Sequence, residues 1–176
     1  FMKAFSFHSA AKSVHHGFVG GRLEHTLSVV KMCDYFSKQY PLINRDLLLT
    51  AAMFHDIGKT KELSAFPLND YTDEGQLLGH IYMGAQMIHD RVSQIPDFPE
   101  VLKNELIHCI LAHHGELEYG SPKKPALVEA VALNLADNTD ARMETITEIF
   151  AANKSKKEWL GFNRLFDSNL RRTDEV

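Results

Sequence analysis

Cysteine, proline and glycine are all scarce in this sequence, and positive charge is not in excess. The 176 residues include 2 cysteines, 6 prolines and 10 glycines. Cys33 and Cys109 fall in apolar helical patterns with no CxxC spacing, so they read as buried free thiols of a cytoplasmic protein and not as a disulfide framework. A chain of this length buries about 70% of its unfolded surface, enough to fold without disulfides or structural metal. No apolar run approaches the ~18 residues of a membrane span, and the histidine-bearing N-terminus lacks the apolar core of a signal peptide. Lys and Arg number 19 against 23 Asp and Glu, a net charge of −4, which excludes a polybasic coat for nucleic acid. Repeats and low-complexity segments are absent, and one domain spanning 1–176 is expected.

Strand signals are missing too, with no Asn-Gly turn and no β-branched alternation, and the periodicity predicts an all-α fold. A first helix is expected over 22–39, with Leu23, Leu27, Val30 and Phe36 on one stripe. A second starts after Asn44, a good N-cap, and runs to Asp56, with Gly58 as its stop. Residues 60–75 read as a loop. A third helix covers 76–92, and a fourth begins at Pro99 and ends at His114, stopped by Gly115. After the loop 120–125, a fifth helix starts near Ala126, a weaker one covers 143–153, and Trp159, Phe162, Leu165 and Phe166 suggest a last docking helix.

What is abundant is histidine, 10 residues in all. The doublets His55-Asp56 and His113-His114 each end a predicted helix just before a glycine. His25 lies in the first turn of the first helix and His80 near the start of the third, directly after Gly79. Asp137 interrupts an apolar helix, where an unpaired carboxylate is expensive to bury. A lone histidine is usually a hydrogen-bonded core residue, and an HD dipeptide alone says little. Five segments each offering imidazole or carboxylate instead suggest a divalent transition-metal site; all-oxygen donors would point to magnesium or calcium. At ~100° per residue, His89 faces away from His80, and His108 lies about 140° from His113, so neither joins the set. His8 has no supporting context.

The series His25, His55-Asp56, His80, His113-His114, Asp137 resembles the HD-domain metal-dependent phosphohydrolases with a two-metal site. Longer phrases narrow the likeness: His15-His16, then Gly20-Gly21-Arg22-Leu23-Glu24-His25-Thr26; His55-Asp56-Ile57-Gly58-Lys59; Tyr71-Thr72-Asp73-Glu74-Gly75, then Gly79-His80; and Ala136-Asp137-Asn138. Over roughly residues 10–145 these are similar to the catalytic domain of YhaM-type 3′→5′ exoribonucleases. Arg22 stands where that family has leucine and reads as a surface change. Those enzymes also carry an N-terminal OB-fold domain for which this chain has no room. It is therefore expected to be an excised catalytic domain or a shorter relative. The resemblance implies a helical bundle of about six to eight helices.

The resemblance also implies site roles. His25, His55, Asp56 and Asp137 would hold one ion, and Asp56 would bridge to a second completed by His80, His113 and His114. The ions are expected to be manganese, iron, cobalt, nickel or zinc, manganese being favoured. Two such ions about 3.5–4 Å apart stabilise both attacking and leaving oxygens of an in-line displacement at phosphorus. Asp56 and Lys59 are the catalytic candidates, Lys59 either as a phosphate contact or as an ordinary exposed lysine. Gly20 and Gly21 either leave N–H groups facing an anion or only permit a tight turn. His15 and His16 are substrate-phosphate candidates or part of a solvated loop. Tyr71 and Tyr119 could stack on bases or anchor loops. Short lysine clusters at 123–124 and 154–157 are more often solvated faces. The expected substrate is single-stranded RNA or a short oligonucleotide, cleaved from the 3′ end. The alternatives are a nucleotidase or cyclic-nucleotide phosphodiesterase, and a non-catalytic nucleotide-sensing domain. The absence of a Gly-Tyr-Pro word lowers the cyclic-dinucleotide option.

Overall fold

The structure is a computed structural model, and it describes residues 21–65, 68–154 and 158–173. Helix α1 (Gly21–Gln39) is followed by α2 (Arg45–Phe54), the single turn α3 (Lys59–Glu62), α4 (Asp73–Val92), α5 (Glu100–Ala112), a 3-10 turn (Leu117–Tyr119) and α6 (Val128–Ala152). The chain closes on a hairpin of β1 (Trp159–Asn163) and β2 (Ser168–Arg171). The all-α class therefore holds for the bundle. Among the described residues it has five helices of ten residues or more, not six to eight.

Local chemistry sets the element ends. Asn44 caps α2, its side chain accepting a hydrogen bond from the Leu47 amide, and Thr72 caps α4 in the same way through the Gly75 amide. Gly115 leaves α5 at φ +82°, a conformation that suits glycine at a helix stop. Small residues let the bundle close tightly: Ala51 and Ala52 of α2 and Ala130 and Ala136 of α6 are fully buried, with Val29, Cys33, Leu48, Cys109, Ile110 and Leu133 between them. α1 packs on α2 and α6, and α5 on α2, α4 and α6, so one core lies behind all the histidine-bearing helix ends. Among the described residues no helix is long and apolar enough to cross a membrane.

Several expectations need correction. The fifth helix expected from near Ala126 and the weaker one expected over 143–153 are one unbroken helix, Val128–Ala152, because no glycine or proline interrupts it and Thr145 is buried within it. Residues 159–171 are not a docking helix but an antiparallel hairpin, with Phe162 opposite Asn169 and Asn163 opposite Ser168. Its turn uses Asp167 at φ +46° and the Asn163 side chain accepting from Leu165 N–H, a solution that no Asn-Gly word advertises. Arg142 stacks on Phe166 and Arg172 on Phe150, which ties the hairpin to α6. The loop 60–75 contains α3, and α4 begins earlier than expected, at Asp73.

Gly58 is not a helix stop. It is in right-handed helical conformation, and a Cβ there would lie 1.9 Å from the His80 carbonyl oxygen and 2.7 Å from Gly84 N. The glycine exists because the backbones of the α2–α3 corner and α4 touch. Arg22 is not a surface residue either: it is fully buried in the first turn of α1. Burial pushes its guanidinium down to about 10, against the pull of Asp56 and Glu62.

Candidate metal centre

Helix endings deliver most of the donors. His55 is the C-cap of α2 and His113 the C-cap of α5, so each doublet turns off its helix into the same interior space. In each case the histidine Nδ1 donates to a carbonyl of its own helix, His55 to Ala52 (2.8 Å) and His113 to Ile110 (2.7 Å). Those bonds fix the tautomer and leave Nε2 with a lone pair aimed inward. His114 Nδ1 likewise donates to the Tyr119 carbonyl at 2.8 Å.

His25 and His80 are oriented by carboxylates instead. His25 Nδ1 donates to Asp140 at 2.6 Å. His80 sits just after a break in α4 at Gly79, which has φ 71° and ψ 153°, and its Nδ1 donates to Glu62 at 3.0 Å. Carboxylate-backed histidines of this kind are stronger bases toward a metal. Sequence reasoning missed both Asp140 and Glu62. Asp140 could have been found from its position one turn after Asp137 on α6, whereas Glu62 carries no such signal.

The donor atoms fall into two groups, His25, His55 and Asp137, and His80, His113 and His114, each close enough to hold one ion. In the first, His25 Nε2 is 3.2 Å from His55 Nε2 and 3.1 Å from Asp137 Oδ1. Asp56 lies between the groups and divides its oxygens. Oδ2 is 3.8 Å from His25 Nε2 and 3.7 Å from His55 Nε2. Oδ1 is 3.7 Å from His80 Nε2 and 3.9 Å from His113 Nε2. Asp56 Oδ1, His80 Nε2 and His113 Nε2 are buried and make no hydrogen bond among the described residues. Three buried polar atoms converging with no proton between them is a costly arrangement unless a cation serves all three. Nitrogen with carboxylate oxygen suits manganese, iron, cobalt, nickel or zinc.

The electrostatics agree with that chemistry. Burial holds His55 below its usual range and His113 well below it, so both imidazoles are neutral and able to ligate at pH 7. Burial opposes charge on His25 as well, but its bonds to Asp137 and Asp140 outweigh this and raise it to about 9. Its extra proton occupies the place a cation would take. Burial disfavours charge on Asp56, yet Lys59 and the surrounding imidazoles keep its carboxyl well below the ordinary range. Lys59 Nζ stands 2.7 Å from Asp56 Oδ2 on the partly open side of the site.

Seven of the sequence-predicted donors thus come together, and Lys59 joins them. Gly21 is buried at the start of α1. His15, His16, Gly20 and His8 lie outside the described residues. His89 is exposed beside Asp90, and His108 accepts a hydrogen bond from Ala126 N–H; both stay apart from the centre, as the helix phase predicts. Tyr119 and Tyr71 are exposed, Tyr119 on the turn whose carbonyl holds His114.

Comparisons with known proteins give the family. This chain is 42% identical over 135 residues to the 3'-5' exoribonuclease YhaM of Bacillus subtilis (strain 168), covering 76% of this chain and 42% of that protein. It is 37% identical over 147 residues to the 3'-5' exoribonuclease YhaM of Geobacillus sp. (strain WCH70), covering 82% and 44%. The chain therefore spans less than half the length of these curated relatives. Among solved structures, the HD domain of the L. monocytogenes phosphodiesterase PgpH aligns with a TM-score of 0.46 at 20% identity, over 75% of this chain and 76% of that one. The sequence model described as "HD domain" matches residues 22–142, the span from the first turn of α1 to the middle of α6 that supplies every donor above, and the chain belongs to the HD domain family.

Proposed function

We propose that this domain is a phosphodiester hydrolase working with two divalent transition-metal ions, and that it removes nucleotides from the 3′ end of single-stranded RNA or short oligonucleotides. The observation that carries the metal reading is the Asp56 carboxylate, one oxygen turned to each donor group. A carboxylate can serve two cations at once, which a neutral imidazole nitrogen cannot. The exonuclease reading is supported by the name that both YhaM relatives carry.

His25, His55 and Asp137 would hold one ion, His80, His113 and His114 the other, and Asp56 both. Such a pair supplies Lewis acidity on a phosphate oxygen and a more acidic water for in-line attack. The chain's own residues do the rest. His55 and His113, kept neutral by burial, present lone pairs without competition from protons near pH 7. Their backbone hydrogen bonds hold the rings still, so no reorganisation is needed when charge develops. Lys59 places a cation 2.7 Å from the Asp56 carboxylate, where it would offset negative charge growing on the phosphoryl oxygens. The site is closed behind by His55 and His113, with side-chain exposures of 1% and 0%, and is more open at Lys59, Asp137 and His80, at 19%, 17% and 13%. Substrate would reach the donors over these partly open residues, and the exposed Tyr71 and Tyr119 are rings that can stack on terminal bases.

The test is a substrate panel with added manganese: 5′-labelled RNA, the matching DNA, dinucleotides, mononucleotides and cyclic nucleotides. Stepwise shortening of RNA from the 3′ end is expected. Release of phosphate from mononucleotides alone would replace the reading with a nucleotidase. Purified protein that neither contains nor takes up manganese, iron, cobalt, nickel or zinc would end it.

A further inference from the structure

We propose that Glu62 is the positioning residue of the second donor group: it holds His80 at the break in α4 and governs how firmly that group retains its ion, the weaker-held of the two. The inference rests on the two-ion reading above. Glu62 is buried at 8% exposure. Its Oε1 accepts two hydrogen bonds from one residue, from the His80 backbone N–H and from His80 Nδ1, both at 3.0 Å. The backbone bond is possible because Gly79 breaks the helix, which frees the His80 N–H from the helical ladder.

Glu62 is itself clamped from the other side. Its carbonyl accepts from Thr72 N–H at 2.9 Å, and Gly75 approaches so closely that a Cβ there would lie 2.2 Å from the same oxygen. The α3 turn, the start of α4 and His80 are thereby locked into one unit through a single residue, its backbone carbonyl gripping the start of α4 and its carboxylate gripping His80. His113 and His114, by contrast, are held by backbone carbonyls close in sequence. His80 is the member of its group whose place depends on a contact 18 residues away.

The two groups also differ in charge. The first has Asp137 of its own besides the shared Asp56, while the second adds only imidazoles to that shared carboxylate. The second group therefore attracts a cation less strongly, and Glu62 supplies its missing negative charge through the His80 ring. Loss of such a partner typically weakens metal affinity about 10–100-fold.

Manganese binding to the full chain, followed by equilibrium dialysis and electron paramagnetic resonance, tests this. Wild type is expected to show two binding classes. E62Q keeps length and shape but loses the charge, and should weaken the second class at least about tenfold. The first class should not change, and the metal-free protein should still unfold cooperatively as wild type does. G79A gives an independent route, since a Cβ there meets no neighbour and only the backbone break is strained. It should lower the same class. An E62Q protein with an unchanged second class overturns the inference, as does one with both classes weakened alike. A wild-type chain that takes up fewer than two ions overturns the two-ion reading, and this inference with it, a result distinct from the failure of E62Q alone.

Discussion

Replacing Gly58 by alanine should injure the centre from outside it. The added Cβ would lie 1.9 Å from the His80 carbonyl oxygen, whereas real Cβ contacts stop near 3.0 Å. Both atoms in the way, His80 O and Gly84 N, are backbone, so no flexible side chain can give. Relief requires α4 to retreat from the α2–α3 corner by about 1 Å, the gap between those two distances. His80 is the residue pushed, and its Nε2 is already 3.7 Å from Asp56 Oδ1. Metal–ligand distances tolerate only about ±0.2 Å, so the second group should lose its ion while the first keeps one. Overpacking of this kind costs about 1–3 kcal/mol, which for a domain of this size lowers Tm by roughly 2–12 °C. The control is Gly84→Ala in the same interface. Its Cβ would meet Gly58 N, Ile110 and Ile57 at 3.4–3.5 Å, ordinary contact, and a mid-helix Gly→Ala change stabilises by roughly 0.5–1 kcal/mol. Bound manganese after dialysis and thermal unfolding by circular dichroism measure both variants. A G58A protein that melts like wild type and retains two ions would refute the close-approach argument, as would equal damage from G84A.

Other outcomes follow from the same geometry. Asp56→Ala should lose both ions, read by elemental analysis after dialysis; full retention of metal or activity would show that the carboxylate is not the bridge. His80→Ala should empty the second group and leave the first partly filled, whereas His89→Ala, on the exposed face, should turn over substrate at near wild-type rate. Cys33 and Cys109 are buried, and burial pushes each thiol up to about 12. Both should ignore a thiol reagent at pH 8 in the native state and react fully after denaturation. Because the fold favours the neutral thiol, their contribution to stability is complete below the ordinary thiol range and is lost as pH climbs toward 12. Alkaline unfolding should shift upward in a Cys33→Ala, Cys109→Ala double variant, once its cavity cost is subtracted at pH 7. Finally, phosphate neutralisation and base stacking supply most affinity for long RNA, and both are thin in a chain of net charge −4. Digestion of labelled RNA should therefore give a ladder with all lengths present early; disappearance of long RNA without intermediates would reveal a gripping surface.

Most of the long helices and the candidate donors were legible in the sequence because their signals are local. A histidine doublet before a glycine, an aspartate inside an apolar helix, and Asn44 ahead of a periodic run each carry their meaning within a few residues. The phase argument that set His89 aside needed only the helical repeat. Arg22, Gly58 and Glu62 were misread or missed for the opposite reason. Whether an arginine at a helix start is solvated or fully buried depends on what packs over it, and no local pattern states that. Gly58 looked like a stop because glycine usually is one, yet its demand comes from α4, whose His80 carbonyl approaches from 22 positions along the chain. Glu62 and Asp140 orient the two histidines by hydrogen bonds that span 18 and 115 residues. The hairpin at 159–171 escaped because its turn runs through Asp167 at positive φ and its strands are short, so that docking through Arg142 and Arg172 selects it over a helix. Periodicity and capping chemistry, which act over one or two turns, pointed to most of the helices and to the candidate donors. The division of Asp56 between two groups and the support of His25 and His80 are distances between elements remote in sequence, and only the packed bundle brings them about.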